Sequence, residues 1–241
     1  MSVPRPATLA LILGLLPVAA HAQVSAGVEA TTDERRRGLS WSDGDPSVSA
    51  DVQADVWSLQ ASARAVALRG SPRHRGAEAV ADLTLAKSID LSAFRLRASA
   101  TGHFFVDAAD RMDYWEAGAD ASYSLGPLQV EAGASIAPAQ RAIGGSNLYV
   151  YAGASAGIPA TPVTLSAAVG HTSGSEDRLY SDRLRPGGDY TDWRVGIERT
   201  IFPLTLGLDY VGTDRSERRP APIGDPRNSG DRVLARARLS F

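Results

Sequence analysis

From Val24 to the C-terminus, apolar and polar residues alternate with a period of two, as in strands whose two faces meet different surroundings; a 3.6-residue stripe is almost absent. Residues 47–56 are the cleanest case. Val48, Ala50, Val52, Ala54 and Val56 form one face, and Ser47, Ser49, Asp51, Gln53 and Asp55 form the other. The same pattern sets Phe94, Leu96, Ala98, Ala100, Gly102 and Phe104 against Arg95, Arg97, Ser99, Thr101 and His103. It recurs from Trp115, and again in the final segment, where Val233, Ala235, Ala237, Leu239 and Phe241 oppose Arg232, Arg236, Arg238 and Ser240. Continued along the chain, the alternation predicts about twelve strands, at 24–36, 46–56, 57–68, 77–87, 93–106, 113–125, 127–137, 147–158, 162–172, 189–200, 203–213 and 231–241.

The predicted connections alternate in length. Short ones fall at 56–57, 88–92, 126–127, 159–162 and 200–203, several with proline at a strand start, where no ladder donor is lost. Long polar ones fall at 37–45, 69–76, 107–112, 138–146, 173–188 and 214–230. Such asymmetry belongs to outer-membrane barrels with both termini on the periplasmic side. A soluble barrel would show the same period with its apolar side chains inward, so the aromatics must decide. With the short turns periplasmic, Trp57, Phe94, Tyr123, Phe202 and Phe241 fall at the lower rim, and Phe104, Trp115, Trp193 and Tyr210 toward the upper one. Ten residues from Phe94 to Phe104 span about 33 Å of strand, or roughly 25 Å of height at a tilt near 40°, which matches the apolar band of a membrane barrel. The expected fold is therefore all-β, a transmembrane antiparallel up-and-down β-barrel of about twelve strands in the outer membrane of a Gram-negative bacterium.

The first 22 residues break the pattern. Arg5, an apolar run from Leu9 to Leu16, and Ala20 and Ala22 in an Ala-His-Ala arrangement read as a secretory signal peptide cleaved before Gln23, leaving 23–241 as the barrel domain. Pro6 and Pro17 bracket an apolar core too short for the ~20 residues of a membrane helix. Composition narrows the chemistry further. With 25 basic and 27 acidic residues and a formal charge of −2, the chain lacks the basic surface a nucleic-acid partner needs. It has no cysteine, which excludes disulfides, thiolate catalysis and Cys-ligated zinc.

The stretch Thr32-Asp33-Glu34-Arg35-Arg36-Arg37-Gly38-Leu39-Ser40-Trp41-Ser42-Asp43-Gly44-Asp45-Pro46 resembles the N-terminal signature of the TorF-like porin family, in which a Ser-Asp-Tyr-Arg-Phe-Arg-Gly run leads into a Ser-Gln-Ser-Asp-Gly turn and a Pro-initiated strand. Asp113, Tyr114, Trp115 and Glu116 are similar to the family's aromatic-Glu pattern. Glu34 and Arg36 stand where the family usually has aromatics, and Trp41 where it usually has Gln. The resemblance implies an outer-membrane barrel more strongly than it implies a substrate. Phe241 likewise resembles the aromatic end of outer-membrane barrels, which implies recognition of the last strand by the barrel-assembly machinery.

A twelve-stranded barrel has a backbone radius of roughly 12 Å, about half of it consumed by lining side chains. Among the charged residues expected to point inward, Asp82, Arg95, Arg97, Glu116, Asp120, Asp209, Arg236 and Arg238 are the candidates for setting the preference of a passive channel for small hydrophilic solutes. Arginine forks could recognise a carboxylate or phosphate on a solute. The plainer reading is internal salt bridges, with Asp82 and Asp120 beside Arg95 and Arg97, and Asp209 and Glu29 beside Arg236 and Arg238. The alternative function is accordingly a closed barrel with a structural or surface-binding role in its long loops. Arg35, Arg36 and Arg37 suit lipopolysaccharide phosphates or a solvated junction. No catalytic, metal or cofactor site is expected. His171 and Ser146 fall on neighbouring strands, but pairing about 159–162 sets Val150 opposite His171 and leaves Ser146 four residues higher, beyond the ~3 Å a nucleophile and base require. His74 and His103 lack a partner at metal-ligand spacing, and no Gly-rich loop follows a strand to cradle phosphate.

Overall fold

The computed structural model describes residues 22–175, 183–215 and 228–241. In chain order the strands are β1 (Ala22–Thr31), β2 (Arg35–Arg36), β3 (Leu39–Ser40), β4 (Ser47–Val56), β5 (Leu59–Ser71), β6 (Ala77–Leu91), β7 (Phe94–Val106), β8 (Tyr114–Leu125), β9 (Leu128–Gln140), β10 (Gly145–Gly157), β11 (Val163–Ser173), β12 (Tyr190–Ile201), β13 (Leu204–Thr213) and β14 (Arg232–Ser240). Twelve of them pair antiparallel with their sequence neighbours. The barrel closes where Glu29 and Ala30 of β1 face Arg238 and Ala237 of β14. The up-and-down barrel expected from the alternation is the fold. The expected leader falls almost wholly on residues 1–21, outside the described residues, as do 176–182 and 216–227 within two of the expected long loops.

Local differences have local causes. Ile89 and Leu91 continue the outward apolar row beyond Lys87, so β6 runs to Leu91 and the turn that follows is shorter than expected. The ladder between β9 and β10 extends to Gln140 and Gly145, which reduces the expected 138–146 loop to one 3-10 turn, Arg141–Ile143. The first strand ends at Thr31 instead of 36, because residues 32–46 leave the wall.

The outer surface is apolar along the strands. Leu83, Leu85, Val169, Val195, Leu206 and Leu208 are all about half exposed. For side chains that would each gain roughly 1.5–3 kcal/mol by leaving water, such a belt calls for lipid. At the short-turn end Phe94 packs on Tyr123 with ring centroids 4.6 Å apart, and Trp57, Phe202 and Phe241 are largely exposed. Phe104, Trp115 and Tyr210 form the opposite girdle. No helix among the described residues is long and apolar enough to cross a membrane; a closed barrel, with every strand paired, is the other architecture that satisfies its backbone in lipid.

Candidate functional site

Residues 32–46 fold into the lumen. β2 and β3 pair Arg35 with Ser40 and Arg36 with Leu39 around a two-residue turn, Arg37 and Gly38, whose φ angles of 51° and 74° are both positive, as a primed hairpin turn demands. Gly38 is required twice over, since an added Cβ would also lie 2.9 Å from Cβ of Asp192. Arg37 accepts an unfavourable backbone because its side chain is fixed: Nη2 donates to both Glu116 oxygens at 2.8 Å, and the guanidinium lies 4.5 Å from the Tyr149 ring centroid. At the hairpin base, Asp33 accepts from the Ser40 and Ser42 hydroxyls on Oδ1, and from Arg35 Nε at 2.7 Å and Arg232 Nη1 at 3.1 Å on Oδ2. Arg36 donates to Asp82 at 2.6 Å, and Arg64 of β5 donates to Glu34 at 2.9 Å. The hairpin is thus tied by ion pairs to β5, β6, β8 and β14.

The three consecutive arginines therefore do not lie where the sequence suggested. Their side chains are at most 20% exposed and each meets a carboxylate inside the barrel, so they offer nothing to lipopolysaccharide phosphates and form no solvated junction. Polar contacts with the wall stabilise an inward hairpin more than exposed arginines would stabilise an outward loop.

Above the hairpin the lumen becomes an apolar core. Trp41, 4% exposed, sits with Val66, Leu68, Val80, Tyr114, Ile143 and Leu184. Its ring lies 4.4 Å from His74 and 5.9 Å from Phe105, with the Arg36 guanidinium 4.1 Å from its centroid. Arg183 comes in from the segment before β12. Nη1 donates to the carbonyls of Met112 and Ala142 at 2.6 and 3.0 Å, Nε donates to His74 Nδ1 at 3.2 Å, and the guanidinium covers the Phe105 ring at 4.2 Å. Burial holds this arginine down to about 10, against a smaller upward pull from Tyr114 and Asp113, so it stays charged at neutral pH. The outer end is filled.

Below the hairpin the lumen is polar and hollow. A cavity of about 460 Å³ under the hairpin, bounded by Glu29, Arg64, Arg194 and Asp209, shares Arg194, Arg236 and Ala168 with a second of about 280 Å³ reaching Glu131 and Gln129 near the short-turn end. The eight residues singled out from the sequence all project from this inner face, but not all pair as expected. Arg97 meets Asp120 at 3.7 Å, and Asp209 binds Arg236 at 2.9 Å and also Arg194 at 2.8 and 2.9 Å. Arg236 also holds Glu198 at 2.9 Å, with Glu29 further away at 3.9 Å. Arg238 pairs instead with Asp51, at 2.6 and 2.9 Å, across the seam. An added Cβ at Gly27 would collide with that guanidinium, which explains the glycine. Asp82 is not beside Arg95 but is taken by Arg36 and by His103 at 2.7 Å, while Arg95 pairs with Asp90 at the rim, both more than half exposed. Glu116 belongs to Arg37. The hairpin brings partners that strand neighbours alone do not reveal. His171 bonds Thr191 at 3.1 Å and pairs with Val150, and Ser146 bonds Ser175 at 3.0 Å.

A closed twelve-stranded barrel with an apolar exterior and a charged interior is the architecture of outer-membrane β-barrels. Residues 100–232 match the model of a family described as a bacterial protein of unknown function (Gcw_chp), and the chain belongs to that family. The stretch that resembles the TorF-like porins, 32–46, lies outside this match. Among solved structures the chain is similar to the KdgM porin at 6% identity and a TM-score of 0.61, with 90% of this chain and 99% of that one covered. It is also similar to an outer membrane channel from Pseudomonas putida (12% identity, TM-score 0.51, coverage 94% and 97%). A third match is LpxR from Salmonella typhimurium (11% identity, TM-score 0.50, coverage 90% and 99%). At these identities the likeness is one of fold. No curated protein matches in sequence.

Proposed function

We propose that the protein is a porin-like outer-membrane channel for passive diffusion of small hydrophilic solutes, closed at its outer end by the 32–46 hairpin. The observation that carries this reading is the pair of charged cavities, about 460 and 280 Å³, that share Arg194 and Arg236 between the underside of the hairpin and the short-turn end, which a barrel of purely mechanical purpose has no need to keep hollow. Two of the similar structures are named as a porin and a channel, and the resemblance to TorF-like porins points the same way. A leader over 1–22 would deliver the chain, and the strand ending in Phe241 would engage the assembly machinery. Membrane lipid and lipopolysaccharide would surround the outer face. The reading is non-enzymatic and involves no cofactor.

Selectivity follows from the pairing. Among the described residues Glu131 has no cationic partner and Asp55 is hydrogen-bonded by the neutral amides of Gln53 and Gln60, so the lower lumen prefers cations. Replacing Arg95 and Arg97 by Ala in a channel opened by exchanging 34–45 for a short Gly-Ser linker frees Asp90 and Asp120 as well, and is expected to shift its reversal potential further toward cation preference. An unchanged reversal potential contradicts that assignment. The function itself is tested by osmotic swelling of proteoliposomes carrying a variant in which 34–45 is replaced by a short Gly-Ser linker: monosaccharide entry is expected to be fast and oligosaccharide entry slow. Swelling no faster than in protein-free vesicles favours the second reading, a closed barrel acting through its loops, for which the apolar core around Trp41 is the supporting observation.

A further inference from the structure

The contact that seals the outer end is centred on a histidine the lumen does not use. His74, in the 3-10 turn Pro72–His74 between β5 and β6, is fully buried. Trp41 of the hairpin lies 4.4 Å from it and Phe105 of β7 lies 5.0 Å from it. Its Nδ1 accepts from Arg183 Nε, so that nitrogen carries no proton, and its Nε2 has no hydrogen-bond partner. Among the described residues, the charged and titratable groups that act most strongly on the ring are basic: Arg183 from the segment before β12, Arg73 from its own turn, Arg36 from the hairpin and His103 from β7. Asp82, the carboxylate behind the last two, is already bonded by both, at 2.6 and 2.7 Å. No carboxylate bonds His74 or Arg183 among the described residues. Asp113, which acts on Arg183 without forming an ion pair, accepts the Phe105 N–H at 2.8 Å.

We propose that His74 is an acid-sensitive latch of the outer plug: neutral, it receives Arg183 and packs Trp41; protonated, it can no longer accept from Arg183, and the Arg183 segment and the hairpin release together. A proton on Nδ1 would face the Arg183 N–H donor to donor, and would add a buried cation beside the guanidinium of Arg183. Burial first, and then Arg183, Arg73 and Arg36, hold the ring well below the usual histidine range. A released His74 titrates near its ordinary value of about 6.5, so the open state takes up the proton that the closed state refuses. The plug is fully held above that pH. Below it, release gains up to about tenfold per pH unit, until the closed ring itself protonates. Arg183 stays charged throughout this window.

The inference rests on the channel reading only for its physiological consequence, and the experiment separates the two. A full-length chain keeping Trp41 as its sole tryptophan, with Trp57, Trp115 and Trp193 replaced by Phe, is reconstituted in lipid vesicles. Acrylamide quenching is read at about pH 7.5 and about pH 5, on either side of the ordinary histidine value. Quenching is expected to rise severalfold and reversibly at the lower pH, with the heat-modifiable gel shift unchanged, and to stay flat in His74→Gln, whose amide oxygen still accepts from Arg183 but takes no proton. Flat quenching in the parent, or an equal rise in both, overturns the proposal. Should His74→Gln fail to close, imidazole NMR of the parent decides: a His74 resonance that titrates near the ordinary value while Trp41 stays shielded also overturns it. Acid-dependent Trp41 exposure without any ion conductance upholds the latch and defeats the channel.

Discussion

Replacing Asp209 by Ala is expected to destabilise the barrel by about 3 kcal/mol, at the low end of the roughly 3–5 kcal/mol for stranding the partner of a buried ion pair. Asp209 is 1% exposed and accepts three bonds, two from Arg194 and one from Arg236. Its loss leaves Arg236 to Glu198, while Arg194, about half exposed to the lumen, falls back on water. That residual solvation is why the low end applies. Gly196 on the facing strand makes the room, since an added Cβ there would collide with the Asp209 carboxylate. Arg194→Ala should cost much less, because Asp209 keeps Arg236. The check is the urea midpoint of both variants and the parent refolded in lipid; midpoints equal to the parent's would show that the triad contributes nothing to the wall.

Replacing Trp41 by Ala acts on the plug and spares the wall. Removing a buried tryptophan costs about 3–5 kcal/mol in transfer and cavity terms. Here that cost falls on the contact between the hairpin and His74, Phe105 and Leu184, because every strand pair of the barrel remains. At 1.4 kcal/mol per factor of ten, hairpin release should rise by about 10²–10³-fold. Limited proteolysis within 33–46 would then proceed far faster than in the parent, with the unheated gel mobility unchanged. Cleavage at the parent rate would mean that the ion pairs of Arg36, Arg37 and Arg64 hold the hairpin by themselves.

The wall was legible because its code has one period. Val48 to Val56 and Val233 to Phe241 name their faces without ambiguity, and a one-residue slip would turn each apolar row inward. The plug was not legible in the same way. Its strands are two residues long, too short for alternation to register, and its arginines looked like a surface run. A signal did exist. Val66, Leu68 and Val80 occupy inward positions where the rest of the lumen is polar, and between Ala65 and Leu68 both faces turn apolar, as in a strand buried on two sides. Something apolar had to enter the barrel at that height, and Trp41 does. The pairing of Arg97 with Asp120 was readable from strand order alone, whereas Asp82 and Glu116 belong to arginines that arrive from outside the wall.

In the proposed channel one hairpin separates a hollow, charged lumen from the outside. Single-channel recording at neutral pH tests it most directly, comparing the parent with the variant in which 34–45 is a Gly-Ser linker, each shown by gel shift to be a folded barrel. The parent is predicted to stay closed and the variant to give discrete, cation-preferring steps. Equal conductance in the two, or none in either, would contradict the claim.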